Sequence, residues 1–255
     1  MIRSLYTAVT GLITQEARED VITNNMANAD TNGFKSDNLA IGSFKNVLLQ
    51  NYAKTVGNKY ERTILGNVSL GSEIDSTNTL FTQGQLQPED SDTDFAINGR
   101  GFFSVLRDNG VDPQKIYYTR DGEFHVNGDG YLVDNSGDFV LAKGGGKIQV
   151  GSDAISSDDY GNISAGGRNY QFDTVDFADY NKLQKVGDNL YDGANPIQNA
   201  EMQVKQKYLE KSNVNVVKEM VNMISTMRTF ETNQKIVQSI DETLNKTAND
   251  VGKVG

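Results

Sequence analysis

Cysteine is absent from this chain. That excludes disulfides, thiolate metal sites and cysteine nucleophiles. Tryptophan is absent too, histidine occurs once, at His125, and proline only at Pro88, Pro113 and Pro196. Basic residues are in deficit, 24 Lys and Arg against 34 Asp and Glu, for a net charge of −10. Phosphate backbones and anionic membrane surfaces attract the opposite balance, so neither nucleic acid nor a membrane is an expected partner. No run reaches the roughly 18–20 apolar residues of a transmembrane helix, so no membrane insertion is expected. The opening segment MIRSLYTAVTGLITQEARED begins like a signal peptide. However, Thr7, Thr10, Gly11 and Thr14 interrupt its apolar stretch, and no small-residue cleavage site precedes the acidic turn. A retained structural helix is expected there, and any export should proceed without cleavage.

What the sequence does hold is a pair of amphipathic ends. Ile2, Leu5, Val9 and Leu12 follow 3–4 spacing, which predicts a helix to about Ala29, broken by the turn signal Asn32-Gly33. Near the other end Val216, Met220, Met223, Met227, Phe230, Val237 and Leu244 form a second seam behind a cap at Ser212 or Asn213. These eleven positions are the candidate assembly seam. The first helix alone reads equally well as an ordinary surface helix packed on its own domain, and Met is also common core filler. Apolar content is only 37%, and two terminal helices burying one face each would be marginal on their own.

Between the ends the pattern changes. Residues 36–79 show weak periodicity and predict an extended connector, with a short apolar run at Phe44, Val47, Leu48 and Leu49 that reads as more helix. Residues 80–199 carry short apolar or alternating runs between turn signals, among them FFSVL, IYYTRDGEFHV and YLVDNSGDFVLA. The Asn127-Gly128-Asp129-Gly130 stretch predicts a hairpin, because Asn and Gly tolerate the positive φ of tight turns. The expected fold class is α+β. Residues 1–35 and 200–255 supply helices of a coiled-coil-like terminal domain, and a central antiparallel all-β domain lies between them beyond the connector.

No catalytic, cofactor or metal site is read from the residues. Asp90, Asp92 and Asp94 open like a calcium loop, but Phe95 stands where its glycine belongs and Gly101 where its bidentate Glu belongs. Gly99-Arg100-Gly101 precedes a strand-like run rather than a helix, and Gly144-Gly145-Gly146-Lys147 lacks a following Ser or Thr. His125 sits in an alternating strand with no nucleophile motif to serve. Asp121 and Glu123 flank a glycine as turn residues do.

The segment from Asn24 to Lys35, NNMANADTNGFK, resembles the NNxANxxTxGFK signature of flagellar axial proteins, the rod, hook and hook-associated subunits. The matching positions are Asn24, Asn25, Ala27, Asn28, Thr31, Gly33, Phe34 and Lys35. Further segments resemble the rod and hook branch in the same order: FTQG from Phe81, DFAINGRGFF from Asp94, YTRDGEF from Tyr118, DGYLV from Asp129, EKSNVNVV from Glu210, EMVNM from Glu219 and RTFETN from Arg228. The length and the C-terminal segments are most similar to distal-rod proteins, with the proximal-rod and hook types next. The resemblance implies a non-enzymatic, cofactor-free structural subunit of the basal body. It would self-associate into a helical tube that carries torque from motor to hook, with paired terminal helices inside and the β domain outside. It also implies neighbouring rod and hook proteins as partners, and export beyond the cytoplasmic membrane by the flagellar export apparatus. Two readings from other classes remain: a secreted binding module whose helices pair only with each other, and a cell-wall hydrolase, which would need two carboxylates converging in a cleft.

Overall fold

The computed structural model describes residues 2–54, 60–107, 115–151, 155–158, 160–165, 167–187, 189–198 and 202–252. The chain is α+β and folds into two units. One comprises Met1–Met26, Asp37–Asn78 and Val216–Gly255, and the other Ala27–Ser36 and Thr79–Asn215.

The first unit holds helices α1 (Ile2–Ala27) and α2 (Val216–Gly252) and strands β1 (Asp37–Ser43), β2 (Val47–Lys54), β3 (Tyr60–Val68) and β4 (Ser72–Thr79). The stretch 36–79 is thus two antiparallel pairs, β1 with β4 and, nested between them, β2 with β3, registered from Val47↔Val68 to Lys54↔Tyr60. The apolar run at Phe44, Val47, Leu48 and Leu49 leads into a strand rather than more helix: its β-branched and leucine residues join a cross-strand ladder. The interruptions in α1 have a structural purpose. Thr7 Oγ1 donates to the Leu70 carbonyl, Thr10 Oγ1 accepts the Ser72 N–H, and Thr14 Oγ1 lies 3.2 Å from Ser72 Oγ. Gly11 lies against α2, where a Cβ would come within 2.9 Å of Asn233 Nδ2. The unit buries little. On α1 the buried residues are Ala8, Thr14, Ile22 and Asn25, and on α2 only Thr226 among the described side chains. No described helix is long and apolar enough to cross a membrane.

The second unit is antiparallel β. After β5 (Leu86–Pro88) and β6 (Phe95–Asn98) comes β7 (Phe102–Arg107), at the middle of its main sheet. Along that sheet follow β8 (Lys115–Thr119), β9 (His125–Val126), β10 (Leu132–Val133), β11 (Phe139–Ala142) and β12 (Gly146–Lys147). β13 (Ser156–Ser157), β14 (Asn162–Ala165) and β15 (Arg168–Gln171) form a separate sheet. β16 (Thr174–Asp176), β17 (Gln184–Gly187), β18 (Leu190–Asp192) and β19 (Ile197–Gln198) return to the main one. The last two strands, β20 (Gln203–Gln206) and β21 (Tyr208–Glu210), pair with β6 and β5, so α2 begins only at Val216, after the strand region has closed on itself.

FFSVL carries apolar residues toward both faces, around the one buried serine Ser104, because β7 is covered on both sides. Phe103 and Val105 enter one cluster with Phe95, Phe124, Leu132, Val140 and Phe172, while Phe102 enters another with Tyr118, Val175, Phe177 and Tyr191. Aspartate and asparagine build the turns. Asn127, Asp134 and Asp158 each use Oδ1 to accept two backbone N–H groups further along the chain. This side-chain mimicry of a turn is what makes these residues turn formers. The predicted 127–130 turn is among them, and it joins β9 to β10.

Candidate functional site

The signature segment divides between the two units. In the first, Asn25 is buried and its amide forms reciprocal bonds with the backbone of Asp37, Nδ2 donating to the carbonyl at 2.8 Å and Oδ1 accepting the N–H at 2.9 Å. The side chain satisfies a donor and an acceptor where the helix gives way to β1. Asn24 is exposed on the last turns of α1, and Ala27 ends that helix.

In the second unit the chain from Asn28 to Ser36 is a turn seated in a ring of polar contacts. Asn28 Oδ1 accepts from Thr31 Oγ1 at 3.2 Å. Gly33 has φ of +69°, donates its N–H to the Glu210 carbonyl at 2.6 Å, and passes so close to Arg120 that a Cβ would lie 2.5 Å from its carbonyl carbon. Only glycine meets both demands at once. Asn32 takes three partners: its Nδ2 donates to Glu123 at 2.7 Å, its Oδ1 accepts from Lys211 Nζ at 3.0 Å, and its carbonyl accepts from Asn189 Nδ2 at 2.6 Å. Phe34 is buried beneath Lys185, whose ammonium lies 4.2 Å from the ring centroid and donates to the Lys35 carbonyl. Asn213 closes the ring, accepting the Ser36 N–H and donating to the carbonyls of Leu80 and Thr82.

At the centre lies a buried ion cluster. Lys35 Nζ contacts Glu210 Oε1 at 2.5 Å and donates to the Thr82 carbonyl at 2.9 Å. The same Oε1 accepts the Gly84 N–H at 2.7 Å, while Oε2 accepts from Arg120 Nη1 at 3.0 Å. Arg120 Nη2 donates to the Gly99 carbonyl, and its guanidinium sits 5.5 Å from the Phe102 ring centroid. All three charged residues are at most 4% exposed. Burial pushes the Lys35 ammonium below the ordinary lysine range, with Glu210 pulling the other way. Removing one partner from such a cluster costs about 3–5 kcal/mol, because the remaining charge is left in a low-dielectric interior. Gly84 is glycine for a related reason: a Cβ there would overlap the Lys211 carbonyl oxygen, where the two strand ends meet.

Carboxylates gather beside this ring. The backbones of Asp94 and Glu123 form an isolated antiparallel β-bridge, and Asp121 Oδ1 accepts the Glu123 N–H at 3.1 Å. Burial raises the Asp121 carboxyl to about 7, aided by Glu123, Asp134 and Asp94, and burial likewise raises Asp94. Among the described residues no group of three or more His, Cys, Asp or Glu is placed to hold a metal ion.

The assembly-seam positions are not brought together into a core. Val9, Val216, Met220 and Met227 are exposed, as are Tyr6 and Ile13 beside the first stripe and Val217, Val221 and Ile224 beside the second. Leu5, Leu12, Met223, Phe230, Val237 and Leu244 are half-buried. The side chain of Ile2 lies outside the described residues. Sequence reasoning did not anticipate that Glu210, Arg120, Asn213 and Asn32 converge on the signature turn. The available signals were their places in the NNMANADTNGFK, YTRDGEF and EKSNVNVV segments and a glutamate closing the otherwise apolar Tyr208-Leu209-Glu210 strand.

Comparison with known proteins gives this arrangement its setting. Residues 5–35 match the family model described as flagella basal body rod protein, residues 96–165 the flagellar hook protein FlgE/F/G D1 domain, and residues 205–250 the C-terminal region of flagellar basal body rod FlgEFG protein. The chain is 35% identical to the flagellar basal-body rod protein FlgG of Buchnera aphidicola subsp. Schizaphis graminum, with 96% of this chain and 98% of the relative covered. It is 33% identical to FlgG of Bacillus subtilis, over 98% and 99%, and 32% identical to the rod protein FlgF of Caulobacter vibrioides, over the whole of both. The chain belongs to the flagellar basal-body rod protein family. Within it the chain is a structural rod subunit most like the FlgG members.

Proposed function

We propose that this chain is a distal-rod subunit that polymerises with copies of itself and with neighbouring rod and hook proteins into a helical tube, carrying torque toward the hook. The observation that supports it is the state of the terminal helices. In a single chain their apolar stripes face solvent, with Met220 49% and Val9 38% exposed. Burying one such side chain contributes roughly 1.5–3 kcal/mol, and here that gain is available only through neighbouring molecules. A coiled-coil-like pairing of α1 and α2 stripes between subunits would supply it. Met220, Met223 and Met227 suit the task, since flexible thioethers repack against neighbours that are not identical. Export through the flagellar apparatus without cleavage fits a first helix whose Thr7, Thr10 and Thr14 serve the folded unit.

The test is Met220→Asp in the full chain. A buried interface would reject the charge, so rod assembly and motility should be lost while the monomer keeps its thermal transition within ~0.5 kcal/mol of the parent, as for a surface substitution. Normal rods from this variant would refute the seam. A proximal-rod position is favoured by a separate observation, the full-length similarity to FlgF. Imaging of a tagged subunit along the rod axis separates the two: density next to the hook supports the distal reading, and density at the inner end the proximal one.

A further inference from the structure

We propose that Lys35, Glu210 and Arg120 form a lock that closes last as the second unit folds, so that the signature turn of residues 27–36 is seated only after the β core is complete. The inference does not depend on where in the rod the subunit lies.

Three observations lead to it. First, the members come from far apart in the chain. Glu210 stands 175 residues from Lys35, 126 from Gly84 and 90 from Arg120. Each closure has its entropy cost before any contact repays it, and the most distant pairs come late on that account. The β7–β8 and β10–β11 pairings have no such requirement, because these strands are neighbours in sequence, whereas the apolar clusters are finished by Val175, Tyr191 and Val204 from further along the chain.

Second, the cluster is unfavourable when incomplete. The Glu210 side chain is fully buried, and its two oxygens take donors from Lys35, Gly84 and Arg120. With only one cation in place, the other is either left buried without its anion or stays in water. Staying in water is the cheaper course. The segments carrying these charges therefore remain hydrated until all can dock together. The lowered proton affinity of Lys35 agrees with an ammonium whose burial is costly even with its partner present.

Third, the seat for Arg120 is made of core. Its guanidinium lies over Phe102, and Phe102 is fixed edge-on against Phe81, Phe177 and Tyr180. Until that aromatic cluster has packed, Arg120 has no fixed position from which to meet Glu210.

The consequence concerns a chain that arrives unfolded. Whichever end leads, residue 35 and residue 210 must both have emerged before the lock has its members. Until then the turn that follows α1 is untethered from the β unit.

The experiment is pulse-labelled amide exchange during refolding of the full chain from denaturant. The reporters are the Gly84 amide, which bonds the Glu210 carboxylate, and the Gly33 amide, which bonds the Glu210 carbonyl. The amides of β7 and β8 serve as reference. The expected result is that Gly84 and Gly33 gain protection in a phase at least about tenfold slower than β7 and β8. Simultaneous or earlier protection overturns the proposal. Glu210→Gln supplies an independent reading, because it leaves two buried cations facing each other. Unfolding should then quicken on the order of a hundredfold while formation of β7 and β8 changes less than about threefold, as for a contact absent from the transition state. A proportional slowing of β7–β8 formation would place the lock in the folding nucleus and reject the proposal. Should Glu210→Gln fail to reach the folded state, Lys35→Met, which leaves the Arg120–Glu210 pair in place, is read by the same two rates.

Discussion

The two units answer the same problem, burying apolar surface, in opposite ways. The β unit finishes the work within one chain: Phe95, Phe102, Phe103, Val105, Leu132, Val140, Ile148 and Leu190 are all wholly inaccessible to water. The helical unit leaves it undone. Its longest element, the 37 residues of α2, buries one threonine among its described side chains, while Val217 is 72% exposed and Val221 61%. Composition follows the same division, since nine of the eleven phenylalanines lie in the β unit. A unit meant to hold its own shape places its large side chains at positions that its own strands cover. The helical unit spaces them along helices and leaves them open, as the proposed assembly requires.

The comparison can be broken or sharpened by substitution, and the largest effect is expected in the β core. Phe103→Ala should cost about 3–5 kcal/mol by loss of burial and creation of a cavity, read as a lowered denaturant midpoint with β-unit amides as probes. Next is Gly33→Ala. A Cβ there meets the Arg120 backbone at 2.5 Å and must adopt φ of +69°, a left-handed conformation that costs a non-glycine residue about 1–3 kcal/mol. Hydrogen exchange at residues 28–36 should quicken while β10 and β11 keep their protection.

A pH titration gives a smaller, signed effect on the β unit. The Asp121 carboxyl is raised to about 7 from an ordinary value of 3.8, chiefly by burial. The folded state therefore holds that proton more tightly than the unfolded one, and its stabilisation is complete below about pH 4 and lost as the pH rises through about 7. Asp121→Asn should flatten this part of the curve of urea midpoint against pH. If the slope between pH 4 and 7 survives in that variant, Asp121 is not its source. Least of all should be felt from Val217→Ser in the helical unit, within ~0.5 kcal/mol in the dilute monomer. A larger loss there would mean that α2 is already covered in the single chain, and the contrast between the units would fail.

Sequence made some of this legible and hid the rest for identifiable reasons. Both terminal helices were visible because their apolar spacing runs on for several turns, and Asn32-Gly33 marked where the first one ends. The turn at Asn127–Gly130 was visible because its side-chain and backbone geometry is local. Strands β1–β4 were not, since β4 is exposed along most of its length and shows no alternation. Val47, Leu48 and Leu49 were misread as helix because three apolar residues in a row carry no period. The signature residues from Asn24 to Lys35 stood out as a resemblance, but what they do there did not. Lys35 is explained only by Glu210 and Arg120, which lie in other segments of the chain, and no local pattern reports a contact of that range.

The central claim is that the β unit is complete in one molecule and the helical unit is not. Residue-resolved hydrogen exchange on the full chain, first dilute and then assembled, tests it most directly. In the dilute chain the amides of β7 and β8 should exchange at least a hundredfold more slowly than those of α2 between Val216 and Gly252, as expected where opening energies differ by about 3 kcal/mol, and α2 should gain protection on assembly. If α2 is as well protected as β7 in the dilute chain, the account is contradicted.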